Sequence, residues 1–294
     1  MSLLAILGTS TYAYAIFAAV PFASGFTAAY LINFAKPVAV SDAVVATFLS
    51  LLLQVVVIML FLVEGLICIL MAAPLIAIFA VLGCAAGRAF ANSQRRRRSG
   101  PPMMLSVFAL LPALLMAEAR QMISPAQGRV QSELVIEAPP EKIWEYLVEL
   151  DSLPQPKELL FRAGIAHPIA TSTEGSGVGS RRSCVLSTGL MEEVIEVWEP
   201  GRALQFKVLR TPPTMKELNP FGEVRPAHLE GYYNCRRGRF DLIALPGGRT
   251  KLVGTSWYEF KIFPAAYWSM WTNKIVSDVQ LRVMREIKRR AEAL

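Results

Sequence analysis

Few residues in this chain could move a proton or hold a metal. Its 294 residues include two histidines, His167 and His228. His167 adjoins Pro168, and His228 closes a proline-rich stretch. Glu192, Glu193 and Glu196 share one strand-like run, where Glu192 and Glu196 read as a solvated face. General acid–base chemistry needs a histidine or carboxylates held at tuned pKa values. The version this chain could support uses Tyr232, Tyr258 or His228 on an apolar substrate. Cys68 and Cys84 lie in an apolar block, while Cys184 and Cys235 lie far apart without a CxxC. No zinc-ligand spacing results, so the sequence implies no metal and no cofactor. A disulfide between Cys184 and Cys235 would require an oxidising compartment and suitable geometry. The run GSGVGS at 175–180 superficially resembles a phosphate loop, but it joins two strand-like runs and reads as a hairpin. No GxSxG, HExxH or P-loop occurs. What the sequence offers instead is aromatic surface. Tyr267, Trp268 and Trp271 fall within one and a half turns of the last helix, and hold two of the chain's five tryptophans.

The elements that must position these residues divide sharply. The chain is 53% hydrophobic and 18% charged, with mean hydropathy +0.40. Only Lys36, Asp42, Glu64 and Arg88 carry charge in residues 1–94. Residues 12–34, 44–63 and 66–86 are each long and apolar enough to span a bilayer, which takes roughly 20 residues. They lack the polar face that a helix of a soluble bundle keeps. The second and third form a tight hairpin turning at Glu64-Gly65, where Glu64 is expected to be solvated. No basic segment precedes the first span, so it does not read as a cleaved signal peptide. A fourth, shorter apolar segment covers 103–117, broken by Pro112. The net charge of +7 resides largely in Arg95–Arg98 and in Arg282, Arg285, Lys288, Arg289 and Arg290. Basic residues beside spans set orientation and meet anionic headgroups. No nucleic-acid motif accompanies them. The expectation is an integral protein of a bacterial inner membrane, with Arg95–Arg98 cytoplasmic. If 103–117 crosses, the C-terminal domain is extracytoplasmic; if it lies in the interface, the domain is cytoplasmic. The absence of charge in 103–117 favours crossing. The organisation is thus a transmembrane region over 1–120, a linker over 121–127 and a second domain over 128–294.

The second domain alternates in short runs. Residues 130–137 (VQSELVIE) read as a strand, stopped by Ala138-Pro139-Pro140, and EKIWEYLVEL puts Ile143, Trp144, Leu147 and Leu150 on one helical face. A short helix over 153–161 and strands over 163–173, 178–187, 191–198, 203–210, 229–245 and 250–262 follow. Glycine-rich turns separate most of them, Pro246-Gly247-Gly248 being the strongest hairpin signal. A helix over 265–292 ends the chain, with Trp268, Trp271, Ile275, Val279, Val283 and Ile287 at three- and four-residue spacing. Antiparallel strands with segregated helices make an α+β domain, a seven-stranded sheet curled around a long C-terminal helix.

That order, with VQSELVIEAPPEKIWEYLVELDSLPQP, GVGSRRSCVLSTG, VIEVWEPGRALQF and LPGGRTKLVGTSWYEF, resembles the START/Bet v 1-like superfamily. This superfamily is also called SRPBCC or the helix-grip fold, and includes polyketide cyclase-type proteins. As a whole the chain resembles its membrane-anchored members. The resemblance covers 128–292 and implies a cavity between the concave sheet face and the last helix. Strand parity then gives the lining. Tyr258, Phe260 and Leu252 face inward, opposite Lys251, Trp257, Glu259 and Lys261. Phe240 and Leu242 face inward, and Tyr232 continues their parity. Leu204, Phe206 and Val208 form the apolar side of their strand, and Arg182, Cys184 and Leu186 that of theirs. Trp268, Trp271 and Ile275 supply the helix wall. A buried Arg182 would favour an anionic head. The long stretch 211–228 carries Met215, Leu218 and Phe221, which could close the mouth or touch the membrane.

Three functions follow. The first is a tethered module that holds or hands over an apolar, lipid-like molecule near the bilayer. The second is a ligandless interaction subunit whose helices join a membrane-protein partner. The third is a cyclase or hydrolase of an apolar substrate. The partners implied are the lipid bilayer and a hydrophobic small molecule, and no nucleic acid.

Overall fold

The structure, a computed structural model, describes residues 14–97, 113, 117–118 and 124–293. It divides into two compact units. The first joins the N-terminal helices to residues 217–228 and 262–264, and the second comprises 124–216, 229–261 and 265–294.

In the first unit a π-helical turn, Ala15–Ala19, leads into α1 (Val20–Ala35), followed by α2 (Val40–Leu60) and α3 (Leu66–Arg97). Three helical spans, Ala15–Phe34, Val40–Leu60 and Leu66–Arg96, are long and apolar enough to cross a membrane. Segment 103–117 lies almost wholly outside the described residues. α1 and α3 pack as close neighbours. A Cβ at Gly83 or Gly87 would overlap the carbonyl oxygen of Phe22 or Phe26, so the two glycines, four residues apart, let the backbones meet. Membrane helices associate through such small-residue contacts because lipid supplies no hydrophobic drive between them. Tyr30 closes the crossing by donating to Gln94 Oε1 at 3.1 Å. The hairpin between α2 and α3 turns through Leu62, which adopts φ 54°.

The second unit is built on β1 (Ala126–Ile136), β2 (Pro168–Glu174), β3 (Arg181–Leu186), β4 (Gly189–Glu199), β5 (Ala203–Arg210), β6 (Tyr233–Leu245) and β7 (Arg249–Phe260). These form one antiparallel sheet in the order β1-β7-β6-β5-β4-β3-β2. α4 (Pro140–Val148) and α5 (Leu159–Arg162) connect β1 to β2, and α6 (Ala265–Ala291) ends the unit. This is the helix-grip arrangement, a seven-stranded sheet with a long C-terminal helix. The short helix expected over 153–161 is confined to Leu159–Arg162, because Pro154 and Pro156 lack N–H donors of their own and disfavour helical conformation in the residues before them.

One end of the grip is a packed core. Ile136, Ile143, Leu147, Leu150, Ile195, Leu204, Leu252, Met284 and Ile287 are almost completely buried there. Trp144 meets Trp198 edge-on at 5.3 Å beside them.

The other half of α6 is docked by polar groups. Ser277 Oγ lies 3.0 Å from Ser132 Oγ, and Gln280 Nε2 donates to Ser256 Oγ at 2.9 Å and to the Val130 carbonyl at 3.3 Å. These bonds tie α6 to β1 and β7. On its other side buried Arg282 donates to the carbonyls of Pro154 and Pro168. The inward line of α6 is therefore Trp268, Val276, Gln280, Val283, Met284 and Ile287. Trp271, Ile275 and Val279 flank it, half-buried. Apolar spacing alone selected a line rotated from the true one, because a glutamine occupies an inward position.

Candidate functional site

α6 approaches the β1 backbone closely, β7 and β2 at few points, and β3–β6 at most at isolated ones. Away from β1, side chains of the central strands lie between the sheet and α6.

Phe206, Phe240, Leu242, Tyr258, Phe260 and Cys184 all lie buried on this concave face. Two of the rings lie flat. Phe206 is paired with Gly238 across β5–β6, and Tyr258 with Gly128 across β1–β7. A Cβ at either glycine would overlap the ring. Phe240 lies similarly over Gly254, where a Cβ would come 3.2 Å from Cε1. A ring laid over a cross-strand glycine covers the sheet without projecting into the interior. Tyr258 also stacks with Phe260 at 6.1 Å and Tyr233 at 5.7 Å, and its hydroxyl donates to Asn273 Oδ1 on α6.

The polar centre is a cross-strand pair. Arg182 on β3 stands opposite Glu193 on β4, and its Nη1 donates to Glu193 Oε2. The guanidinium lies over the Phe206 ring, 4.7 Å from its centroid, an attraction between cation and π-face. Both residues are buried, at 4% and 1% exposure. Arg182 Nε and Glu193 Oε1 have no hydrogen-bond partner among the described residues, and neither has Gln280 Oε1. Burial pushes the Glu193 carboxyl above its ordinary value, while Arg182 pulls it back down. Burial also raises the Cys184 thiol to about 12. All four cysteines are free, so Cys184 and Cys235 are not bridged.

Two expectations change here. Arg182 is buried but already neutralised by Glu193, so the site does not call for an anion. Tyr232 loses the parity that placed it inward. The β6–β7 register shifts between Cys235 and Arg237, so Tyr233 and Cys235 stand opposite Phe260 and Tyr258 and share their face. The bulge adds one residue and flips every side chain before it.

The long stretch after β5 also divides. Met215 is buried and bridges Ile165 within the grip unit. Leu218 and Phe221 belong to the helical unit and are exposed there, at 49% and 55%. His228 also belongs to that unit. Glu64 is buried at 7% exposure, against the expectation of a solvated turn, because the segment Glu217–His228 packs on the hairpin tip.

No protein-family profile matches the chain, and no curated protein matches it. Among solved structures it is similar to truncated norcoclaurine synthase from Thalictrum flavum. Identity is 11%, with 57% of this chain and 96% of that one covered at TM-score 0.35. It is also similar to the di-domain ARO/CYC BexL of the BE-7585A biosynthetic pathway, at 16% identity, 73% and 63% coverage and TM-score 0.36. The Aha1 dimer from Colwellia psychrerythraea matches at 14% identity, 55% and 96% coverage and TM-score 0.31. Likenesses of this size carry no inference about ligand or activity.

Proposed function

We propose that this chain is a membrane-anchored binding module whose grip domain holds one apolar, lipid-like molecule bearing a hydroxyl or protonated carboxyl end. The observation that supports it most is the buried Arg182–Glu193 pair, which keeps one donor and one acceptor uncommitted beneath an aromatic wall. Buried polar atoms without partners are rare in folded proteins. A group that both donates and accepts would satisfy Glu193 Oε1 and Arg182 Nε together. Pockets for small molecules are mostly apolar with a few placed polar groups, and the rings of Phe206 and Tyr258, laid over Gly238 and Gly128, would supply the apolar wall.

Within the helical unit, Arg97 ends α3 at the same side as Lys36 after α1. Glu118 Oε2 accepts from Ala15 N at 2.9 Å, at the opposite end of α1. Phe263 meets Tyr14 at 6.1 Å at that end too, and segment Glu217–His228 packs on the α2–α3 tip. If the uncharged segment 103–117 crosses, as its sequence favours, and Arg95–Arg98 are held inside, the grip domain would face the extracytoplasmic side.

Thermal shift of the purified full chain across fatty acids, fatty alcohols, isoprenols and their methyl ethers tests the ligand class. Stabilisation by the alcohols and acids, lost with the ethers, is the expected pattern. No shift from any compound would contradict the binding reading, and equal shifts from ethers and alcohols would contradict the role of the ion pair.

A further inference from the structure

The helical unit gathers a second set of reactive side chains. Glu64 at the hairpin tip, Cys68 in the first turn of α3 and His228 each offer a ligand atom, and these atoms lie within 4.8 Å of one another. His228 sits between the other two. Its Nε2 is 2.9 Å from Cys68 Sγ and its Nδ1 is 3.5 Å from Glu64 Oε1. Glu64 and His228 are buried, and Cys68 is half-buried.

Several devices hold this arrangement. The Glu217 carboxylate accepts from the Ile67 and Cys68 N–H groups at 3.2 and 3.1 Å, capping α3. Leu66 N donates to the Leu218 carbonyl at 2.8 Å. Asn219 Nδ2 donates to the carbonyls of Met59 at 3.0 Å and Glu64 at 3.3 Å. Gly65 is required as well, since a Cβ there would overlap the Glu217 side chain. His228 lies 160 residues from Cys68, so no sequence spacing announces the set.

We propose that Glu64, Cys68 and His228 bind one zinc-class divalent ion. The donor set is one thiolate, one imidazole and one carboxylate, the three ligand types that Zn²⁺ takes. The surroundings favour a cation. Glu217 sets a second carboxylate against Cys68, and a buried carboxylate is held where it is paired or coordinates a metal. On binding, Cys68 gives its thiol proton to solvent and His228 binds through one ring nitrogen, which ends its bridging between Glu64 and Cys68. Three protein ligands leave a fourth position for water or a small exogenous ligand. The ion would clasp segment Glu217–His228 to the hairpin tip.

The test uses the full chain without a histidine tag, purified in detergent, equilibrated with zinc in a non-chelating buffer and then dialysed free. Elemental analysis is expected to find one zinc per chain in the wild type and in Cys84→Ser. Cys68→Ser and His228→Gln should retain only traces. Glu64→Gln, the mildest change, should weaken affinity by about 10–100-fold if its loss resembles that of an orienting group. Cobalt loading should give a thiolate-to-cobalt charge-transfer band that Cys68→Ser lacks and Cys84→Ser keeps. A wild type without bound zinc, or equal zinc in wild type and Cys68→Ser with no charge-transfer band, would mean an adventitious ion only and overturn the site. Should Cys68→Ser fail to fold, undiminished zinc affinity in Glu64→Gln with no cobalt–thiolate band in the wild type overturns it equally.

Discussion

Two buried ionisable clusters among the described residues are built on opposite principles. Arg182 and Glu193 stand opposite each other on adjacent strands, so sheet register delivers the pair and its charges cancel. Glu64, Cys68 and His228 are brought together by a segment that packs on a hairpin tip, and the set is rich in anionic donors. The first cluster is complete in charge but incomplete in hydrogen bonds, which suits a neutral polar group. The second offers three donors around one point, which suits a cation. Burial alone therefore does not describe a site. Which valences remain open decides what it takes.

The largest effect should come from breaking the first cluster on one side. Arg182→Met leaves Glu193 buried without its cation and should cost about 3–5 kcal/mol of grip-domain stability. The double change Arg182→Met with Glu193→Leu should recover most of it in denaturant unfolding. A double variant as unstable as the single one would show that the pair is not the closed unit described.

For the second cluster the expected loss is ligand-linked. Stripping an ion present at a hundredfold over its Kd should remove about 2.7 kcal/mol, read as a lower Tm of the helical unit. The same chelator should leave Cys68→Ser unchanged.

Gly238→Ala sharpens the ligand side of the comparison. Its Cβ meets the Phe206 ring, so the ring must lift into the interior, at about 1–3 kcal/mol for overpacking. Ligand-induced thermal shift should fall with it.

A smaller effect separates the pair by pH. The folded pKa of Glu193 is raised from 4.5. Its contribution is therefore fully present below that value and lost as pH rises through the folded pKa. The stability difference between wild type and Glu193→Gln should move against the wild type over that window. A flat difference would contradict the raised carboxyl.

Smallest is a reactivity difference. With its thiol pushed to about 12, Cys184 should resist alkylation at neutral pH until the domain unfolds, as peptide mass spectrometry would report.

Much of the architecture was legible because local signals agree with the tertiary outcome. Pro140 opened α4, the glycine turns bounded the strands, and period two placed Leu252, Tyr258 and Phe260 on the inner face. The remainder depended on contacts that no local pattern encodes. The bulge at Cys235–Arg237 exchanged Tyr232 for Tyr233, because one added residue reverses parity. Glu193 was not assigned to the interior because only the register with Arg182 shows where its charge is met. Gln280 rotated the inward line of α6, since its partners on β1 and β7 make a polar residue acceptable there. Glu64 was expected in solvent because nothing nearby in sequence reveals that Glu217–His228 covers it.

The most direct test of the central claim is native mass spectrometry of the full chain released from detergent, comparing wild type with Gly238→Ala. The account predicts one defined small-molecule adduct on the wild type, identified as an apolar alcohol or acid after solvent extraction, and depleted in Gly238→Ala of unchanged circular dichroism. A wild type that flies without any adduct, and gains none from the alcohols and acids of the panel, would contradict a ligand-holding grip.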